Sequence, residues 1–315
     1  MKIPDIKLAI VIPAYKTIFL RQTLKSVAQQ TDKRFTVYVC DDASPENVHS
    51  ICSEFSALIS ISYCRFESNL GQHSLTGQWD RCIRLSSEPW IWLFADDDIM
   101  SPECVETFYL QYNKNLSCDL YRFNTRTIDA DGNTIEVNPA HPPFENNFDF
   151  LIAKLNKQRK SFATEYIFSR KVFENNGFED FPLAWCSDDA AWIKFGKTGI
   201  ITLSDGIVNW RDSIYNISGQ VNRRYKILKA AAAFSFRHWA SSFFKQKFEK
   251  NPEAKKKFND AMNFWIRQQI FLYPGIFNIR EILDIVSRLH GGKINAVSRL
   301  CFANLKLIMR KITAK

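Results

Sequence analysis

With 315 residues, 46% of them apolar and 14% aromatic, the chain can bury a full core as one large domain or one domain with an extension, which excludes disorder as its dominant state. No run of 18 or more residues is apolar throughout, which excludes a helix spanning a bilayer. The net charge of +9 is unevenly placed: residues 1–215 carry 22 Lys and Arg against 28 Asp and Glu, and residues 216–315 carry 20 against 5, so an acidic module precedes a basic one. In chain order, "KLAIVIP" at residues 7–13 is a β-branched run ending at a proline, as suits a buried parallel strand. No small-residue cleavage site follows it, so the opening reads as a core strand and not as a signal peptide. Phe19, Leu20, Leu24 and Val27 then recur at helical spacing, and "RFTVYVCDDAS" alternates as a strand ending in acidic and turn residues. A helix over "ENVHSICSEFSALI", a strand at "SISYCRFE", a polar loop "SNLGQH" and a helix "SLTGQWDRCIRLS" lead to the strand "WIWLFA" and to Asp96, Asp97 and Asp98. Four strand and helix alternations imply an open parallel sheet covered by helices, with ligands bound at the carboxyl edge where "DDAS" and "ADDD" converge.

After Asp98 the rhythm changes. "SPECVETFYLQYNKN" starts a helix with Ser101 as cap and Pro102 at the first position, and Asp131-Gly132 marks a hairpin turn. A helix near 148–158, an apolar stretch "ATEYIFS" and the acidic "WCSDDAAWIKFG" complete the acidic module, and from about residue 220 the pattern is mostly helical. Eight cysteines, with no C-x-x-C pair and no clustering with the five histidines, read as the reduced thiols of a cytoplasmic protein.

Three acidic sites carry the chemistry. Three adjacent carboxylates repel one another, so the cluster at the end of "WIWLF" implies a compensating cation. Asp96 and Asp98 form a D-x-D suited to Mg2+ or Mn2+, which take oxygen ligands from one or two carboxylates and from substrate phosphates; the alternative is a solvated acidic turn. Asp41 and Asp42 stand where a carboxylate would accept hydrogen bonds from a nucleotide base, or where one of them would cap the next helix, although Ser44-Pro45-Glu46 supplies a cap there. Asp188 and Asp189 open an amphipathic helix, placed there by the helix dipole or as a general base beside Trp185.

Together "AIVIPAYK", "VCDDAS", "NLG…QWDRCI…FADDD" and "SDDAAWIKFG" resemble the family-2 glycosyltransferases of the GT-A fold, of the bacterial-polysaccharide type, over residues 7–215. The resemblance implies an α/β fold with a mixed, mostly parallel sheet flanked by helices, a catalytic domain over 1–215 and a basic helical extension over 216–315. It implies that Pro13, Ala14 and Tyr15 line the nucleotide site and that Asp41 or Asp42 reads the base. Gly71, Gln72, Trp79 and Arg81 would border the nucleotide and diphosphate together with Asp96 and Asp97. Asp98 would be the direct metal ligand with Asp96, for Mn2+ or Mg2+, and Asp189 the base, with Asp188 in place of the more usual Glu. Arg211 in "NWRDSIYNISG" falls where the family often places a basic residue or His near the pyrophosphate.

The implied reaction is inverting transfer from a nucleotide sugar, UDP favoured, to a saccharide or lipid-linked acceptor. A nucleotidyltransferase is the enzymatic rival, but "PAYKTIFLRQ" lacks the glycine-rich loop that such enzymes carry after the first strand. A silent scaffold with structural acidic clusters is the rival from another class. The basic region reads as helices lying on the inner face of the cytoplasmic membrane, or packed on the catalytic domain with solvated Lys and Arg; nucleic acid is not an expected partner, and no oligomeric state is assigned.

Overall fold

Strand β1 (Leu8–Ala14) lies at the centre of the parallel half of the sheet, which explains why its sequence is apolar on both faces. Leu8, Ile10, Ile12 and Ala14 enter one core, and Ala9 and Val11 enter the other. The computed structural model describes residues 7–114, 118–216, 219 and 222–271. The four expected βα units are present: β1, α1 (Leu20–Ala28), β2 (Phe35–Asp41), α2 (Val48–Ser53), β3 (Ile61–Arg65), α3 (Leu75–Ile83) and β4 (Trp90–Leu93). β2 and β4 flank β1 in parallel, with Leu8 opposite both Phe35 and Trp90, and β3 extends the sheet beyond β2. Parallel pairing in this register brings Ala14 opposite Asp41 and leaves the carboxyl ends of β1, β2 and β4 at one edge.

The chain then adds β5 (Ile99–Met100), α4 (Cys104–Tyr112), β6 (Leu120–Ile128), β7 (Thr134–Val137), β8 (Phe144–Glu145) and α5 (Asn147–Leu155). It continues through β9 (Tyr166–Ser169), α6 (Arg170–Asn176), α7 (Ser187–Phe195) and β10 (Ile200–Arg211). The apolar "ATEYIFS" supplies β9, which lies antiparallel between β4 and β6 and makes the sheet mixed, in the order β3-β2-β1-β4-β9-β6-β10-β5. β6 and β7 form the expected hairpin, with Gly132 at φ +92° in its turn. The cap of α2 differs from expectation: Asn47 accepts from Ser50 N, while Asp41 instead accepts from Ser44 N.

Helices cover both faces, with α1, α2 and α4 on one core and α3, α5, α6 and α7 on the other. The basic region continues that second core. In α8 (Arg223–Phe243), α9 (Lys245–Lys250) and α10 (Pro252–Phe271), Phe236, Phe244, Phe248, Phe258, Met262 and Ile266 are buried in one cluster with Phe150 and Trp192. The apolar stripes of α8 and α10, expected on a membrane face or on the catalytic domain, are thus packed against α5, α7 and the residue 182–184 turn. The second basic piece, residues 296–315, lies outside the described residues. The seven described cysteines are free thiols, and among the described residues no helix is long and apolar enough to cross a membrane.

Candidate active site

The carboxyl edge opens into a cavity of about 810 Å3. It brings together most of the residues singled out from the sequence: Pro13, Ala14, Tyr15, Asp42, Gly71, Gln72, Trp79, Asp96, Asp97, Asp188 and Asp189 all line it. Asp41, Arg81, Asp98 and Arg211 do not, and each has a visible alternative employment.

At one end Asp42 is held by backbone amides. Its Oδ1 accepts from Leu70 N at 2.9 Å and its Oδ2 from Gly71 N at 2.8 Å. Arg81, expected to border the diphosphate, instead donates to the Asp42 carboxylate and to Ser68 O, with its guanidinium 3.7 Å above the Phe66 ring. It positions Asp42 from behind. Asp41, the alternative reader of a base, is fully buried and accepts from Ser44 N, Tyr63 Oη and Arg65 Nη1, each at 2.7 Å. Adjacent strand residues point to opposite faces, so only one of the pair could reach the crevice. Ala43, directly after Asp42, adopts φ 55°, a strained conformation for a residue with a side chain. A Cβ on Gly71 would lie 2.7 Å from Asp42 Oδ2 and would have to displace it. Gly71→Ala should therefore weaken UDP binding by about tenfold or more with the fold retained. Calorimetry with UDP checks this, and an unchanged affinity would remove Asp42 and Gly71 from the nucleotide end.

In the middle, the three consecutive aspartates are divided by the fold. Asp96 Oδ2 accepts from Tyr15 N at 3.1 Å and from Lys16 N at 3.4 Å, which ties the end of β4 to the end of β1. Asp97 follows it on the cavity wall. Asp98, expected as the direct metal ligand, is 1% exposed and does not line the cavity: its Oδ1 accepts from Arg211 N at 2.7 Å, and its carbonyl accepts from Thr23 Oγ1 at 2.8 Å. Arg211, expected near the pyrophosphate, is also buried. It donates from Nε to Asp97 O, from Nη1 to Asp129 O and Ala130 O, and from Nη2 to Gln22 Oε1, with its guanidinium 4.3 Å above Phe19. Four of its five N–H donors are used in this way, which ties the acidic turn to β10.

Burial pushes the Asp96 carboxyl up to about 6, against the pull of the Tyr15 and Lys16 amides. Burial and the neighbouring Asp96 push Asp97 up to about 7, and Asp98 is raised well above the carboxylate range by burial and by Asp97. Among the described residues no group of three or more His, Cys, Asp or Glu could hold a metal ion. Two carboxylates supplemented by diphosphate oxygens are nevertheless a donor set that fits Mg2+ or Mn2+, and the repulsion within the pair is the kind that a cation relieves. Sequence reasoning missed Lys16, which lines the cavity beside Asp96 and donates from Nζ to Tyr215 O at 2.7 Å. Its signal was its position directly after Tyr15 in "PAYK".

At the far end Asp188 and Asp189 occupy the first turn of α7. Asp189 is 2% exposed; its Oδ2 is ion-paired with Lys154 of α5, and its Oδ1 has no hydrogen-bond partner among the described residues. Asp188 is half-buried on the same wall, and burial raises its pKa, against the pull of Lys154. The chain reaches this pair through Leu183, Ala184 and Cys186, at φ 61°, 52° and 69°. Three side-chain-bearing residues in the left-handed region within four positions are a local cost that a functional constraint would explain. Lys154 was also missed, although a lone lysine in the apolar "FDFLIAKL" was a visible anomaly. Phe162 and Trp210, both on the cavity wall, stack with ring centroids 4.3 Å apart.

Residues 9–177 match the family model described as glycosyl transferase family 2. Among solved structures, residues 1–349 of S. aureus TarS in complex with UDP-GlcNAc are 14% identical, with 93% of this chain and 89% of that one covered at a TM-score of 0.57. Mannosyltransferase PcManGT from Pyrobaculum calidifontis, in complex with GDP-Man and Mn2+, is 11% identical, with 92% and 84% covered at a TM-score of 0.53. At such identities the likeness is one of fold. No curated protein matches the chain in sequence.

Proposed function

Since this chain belongs to glycosyl transferase family 2, we propose that it moves a sugar from a nucleoside diphosphate sugar, UDP favoured, to a hydroxyl of a saccharide or lipid-linked acceptor with inversion at the anomeric carbon. The observation that carries this reading is that one cavity is lined together by Asp42 and Gly71, by Asp96 and Asp97, and by Asp188 and Asp189. Its volume of about 810 Å3 has room for a small-molecule ligand the size of a nucleotide sugar. The fold relatives support the donor class, since TarS was solved with UDP-GlcNAc and with UDP, and PcManGT with GDP-Man and Mn2+.

In this reading Pro13, Ala14, Tyr15, Gly71, Gln72 and Trp79 enclose the nucleoside around Asp42. Asp96 and Asp97 would hold the divalent cation, which when bound supplies positive charge against the negative charge developing on the leaving diphosphate. Lys16 adds a second positive charge on the same wall. Asp189 takes the acceptor's proton at Oδ1 while Lys154 fixes Oδ2, so the acceptor oxygen attacks as its negative charge builds. Attack from the face opposite the diphosphate inverts the anomeric centre without a covalent enzyme intermediate.

A panel of UDP-, GDP- and dTDP-sugars, assayed for hydrolysis in Mn2+ and in chelator, tests the reading. At least one UDP-sugar should release its nucleoside diphosphate faster in Mn2+ than in chelator. If none of the panel is hydrolysed and UDP does not bind, the donor assignment fails.

A further inference from the structure

The donor chemistry above makes no use of the aromatic side chains at the far end of the cavity. Trp185 stands three residues before the acidic pair, Tyr225 lies in the first turn of α8, and Trp265 lies in the last third of α10. All three line the cavity. Tyr225 and Trp265 come from helices beyond residues 9–177, the part matched by the family model. They are therefore a contribution of the basic C-terminal region to a site that the catalytic domain would otherwise bound alone.

The packing explains how two distant helices reach one spot. α8 rests on the residue 182–184 turn that leads into Trp185, and α10 rests on both α8 and α5. α5 carries Lys154, the ion-pair partner of Asp189. α8 is in this way placed beside Trp185, with Lys229 Nζ 4.6 Å from the centre of the Trp185 ring, and α10 beside the helix that carries Lys154.

From this geometry we infer that Trp185, Tyr225 and Trp265 form an acceptor subsite and that its ligand is a sugar ring, so that the acceptor is a saccharide at the point where it meets Asp189. The inference rests on the glycosyl-transfer reading. A pyranose has a C–H-rich face that packs on aromatic rings and a rim of hydroxyls that needs polar partners. The cavity lining offers both, since it includes Lys154 and Asp188 as well as the three rings. An acyl chain entering the same end would strip water from those charges and return no hydrogen bond. The amphipathic pattern of the C-terminal helices then has two uses: the apolar stripes hold α8 and α10 on the core, and their ends carry rings into the site.

Saturation-transfer NMR on the full chain, with UDP and diamagnetic Mg2+ present, tests this with three kinds of probe in one sample. The probes are the methyl pyranosides of glucose, galactose, mannose and N-acetylglucosamine, butyl phosphate as a short acyl mimic, and UDP itself. Ring C–H protons of at least one pyranoside should take up saturation, and butyl phosphate should not. Tyr225→Ala and Trp265→Ala should each weaken the pyranoside by about tenfold, Trp265→Phe should retain most of the binding, and UDP should be unaffected in all three. Tyr225 is half-buried, so its truncation tests the subsite even if Trp265→Ala fails to fold. The inference is overturned if no pyranoside is saturated, if the variants leave the saturation unchanged, or if butyl phosphate is the probe that responds to them. Absence of UDP saturation in the wild type counts instead against the donor reading, whatever the pyranosides do.

Discussion

Asp189→Asn is expected to lower kcat by about 100-fold or more and to leave donor affinity nearly intact. The amide has almost the same shape as the carboxylate, so the cavity is preserved, but it cannot accept the acceptor's proton. Asp189 is suited to that role because its two oxygens have separate tasks: Oδ2 faces Lys154, and Oδ1 is left without a protein donor among the described residues. Asp188→Asn should be milder, because Asp188 lacks this division. Steady-state kinetics with saturating donor, beside calorimetry of UDP binding, separates a chemical effect from a binding one. The reverse ranking of the two variants would transfer the base to Asp188.

Asp97→Asn is expected to reduce UDP affinity in Mn2+ by about tenfold or more, close to the value that wild type shows in chelator. Asp98→Asn should act differently. An amide oxygen at the same place can still accept from Arg211 N inside the protein, so UDP affinity in Mn2+ and the melting temperature should both change little. A variant pair with the opposite pattern would return the direct metal contact to Asp98. The pH dependence of stability carries the same information. Asp96 and Asp97 have folded pKa values raised to about 6 and about 7, so the folded protein binds more protons than the unfolded chain at mildly acidic pH. Stability of the metal-free protein should therefore fall as pH rises from about 4 to about 7, the opposite of the trend for salt-bridged carboxylates. Melting temperatures across that range in chelator should show the decline, Mn2+ should diminish it, and Asp97→Asn should make it shallower. A flat profile in chelator would mean that the acidic turn is already compensated by the protein.

Local sequence was sufficient for the parts of this molecule governed by periodicity and turn chemistry. The β-branched run at 7–13, the alternation in "RFTVYVCD" and the apolar spacing of α1 define βα units whose only stable arrangement is a parallel sheet with its carboxyl edge open. That edge makes "DDAS" and "ADDD" neighbours from topology alone. Asp131-Gly132 marked its hairpin because a turn there requires φ > 0.

The choice within each acidic pair or triplet needed the tertiary structure. Asp41 and Asp42, and Asp97 and Asp98, differ by one position in sequence but have different surroundings, fixed by partners far along the chain. Tyr63 and Arg65 take Asp41, and the amide of Arg211, 113 residues away, takes Asp98. Arg81 and Arg211 look like phosphate-binding cations in isolation, but a buried guanidinium must satisfy several donors at once, and the fold supplies those acceptors behind the cavity wall. The same holds for the basic region. By itself the sequence determined that its helices are amphipathic and cationic, because that depends only on residue spacing. Whether their apolar stripes meet lipid or protein is a question of what surface lies opposite, and for α8 and α10 that surface is the core formed by α5, α7 and the 182–184 turn, decided by contacts between segments about 40 to 115 residues apart in the chain.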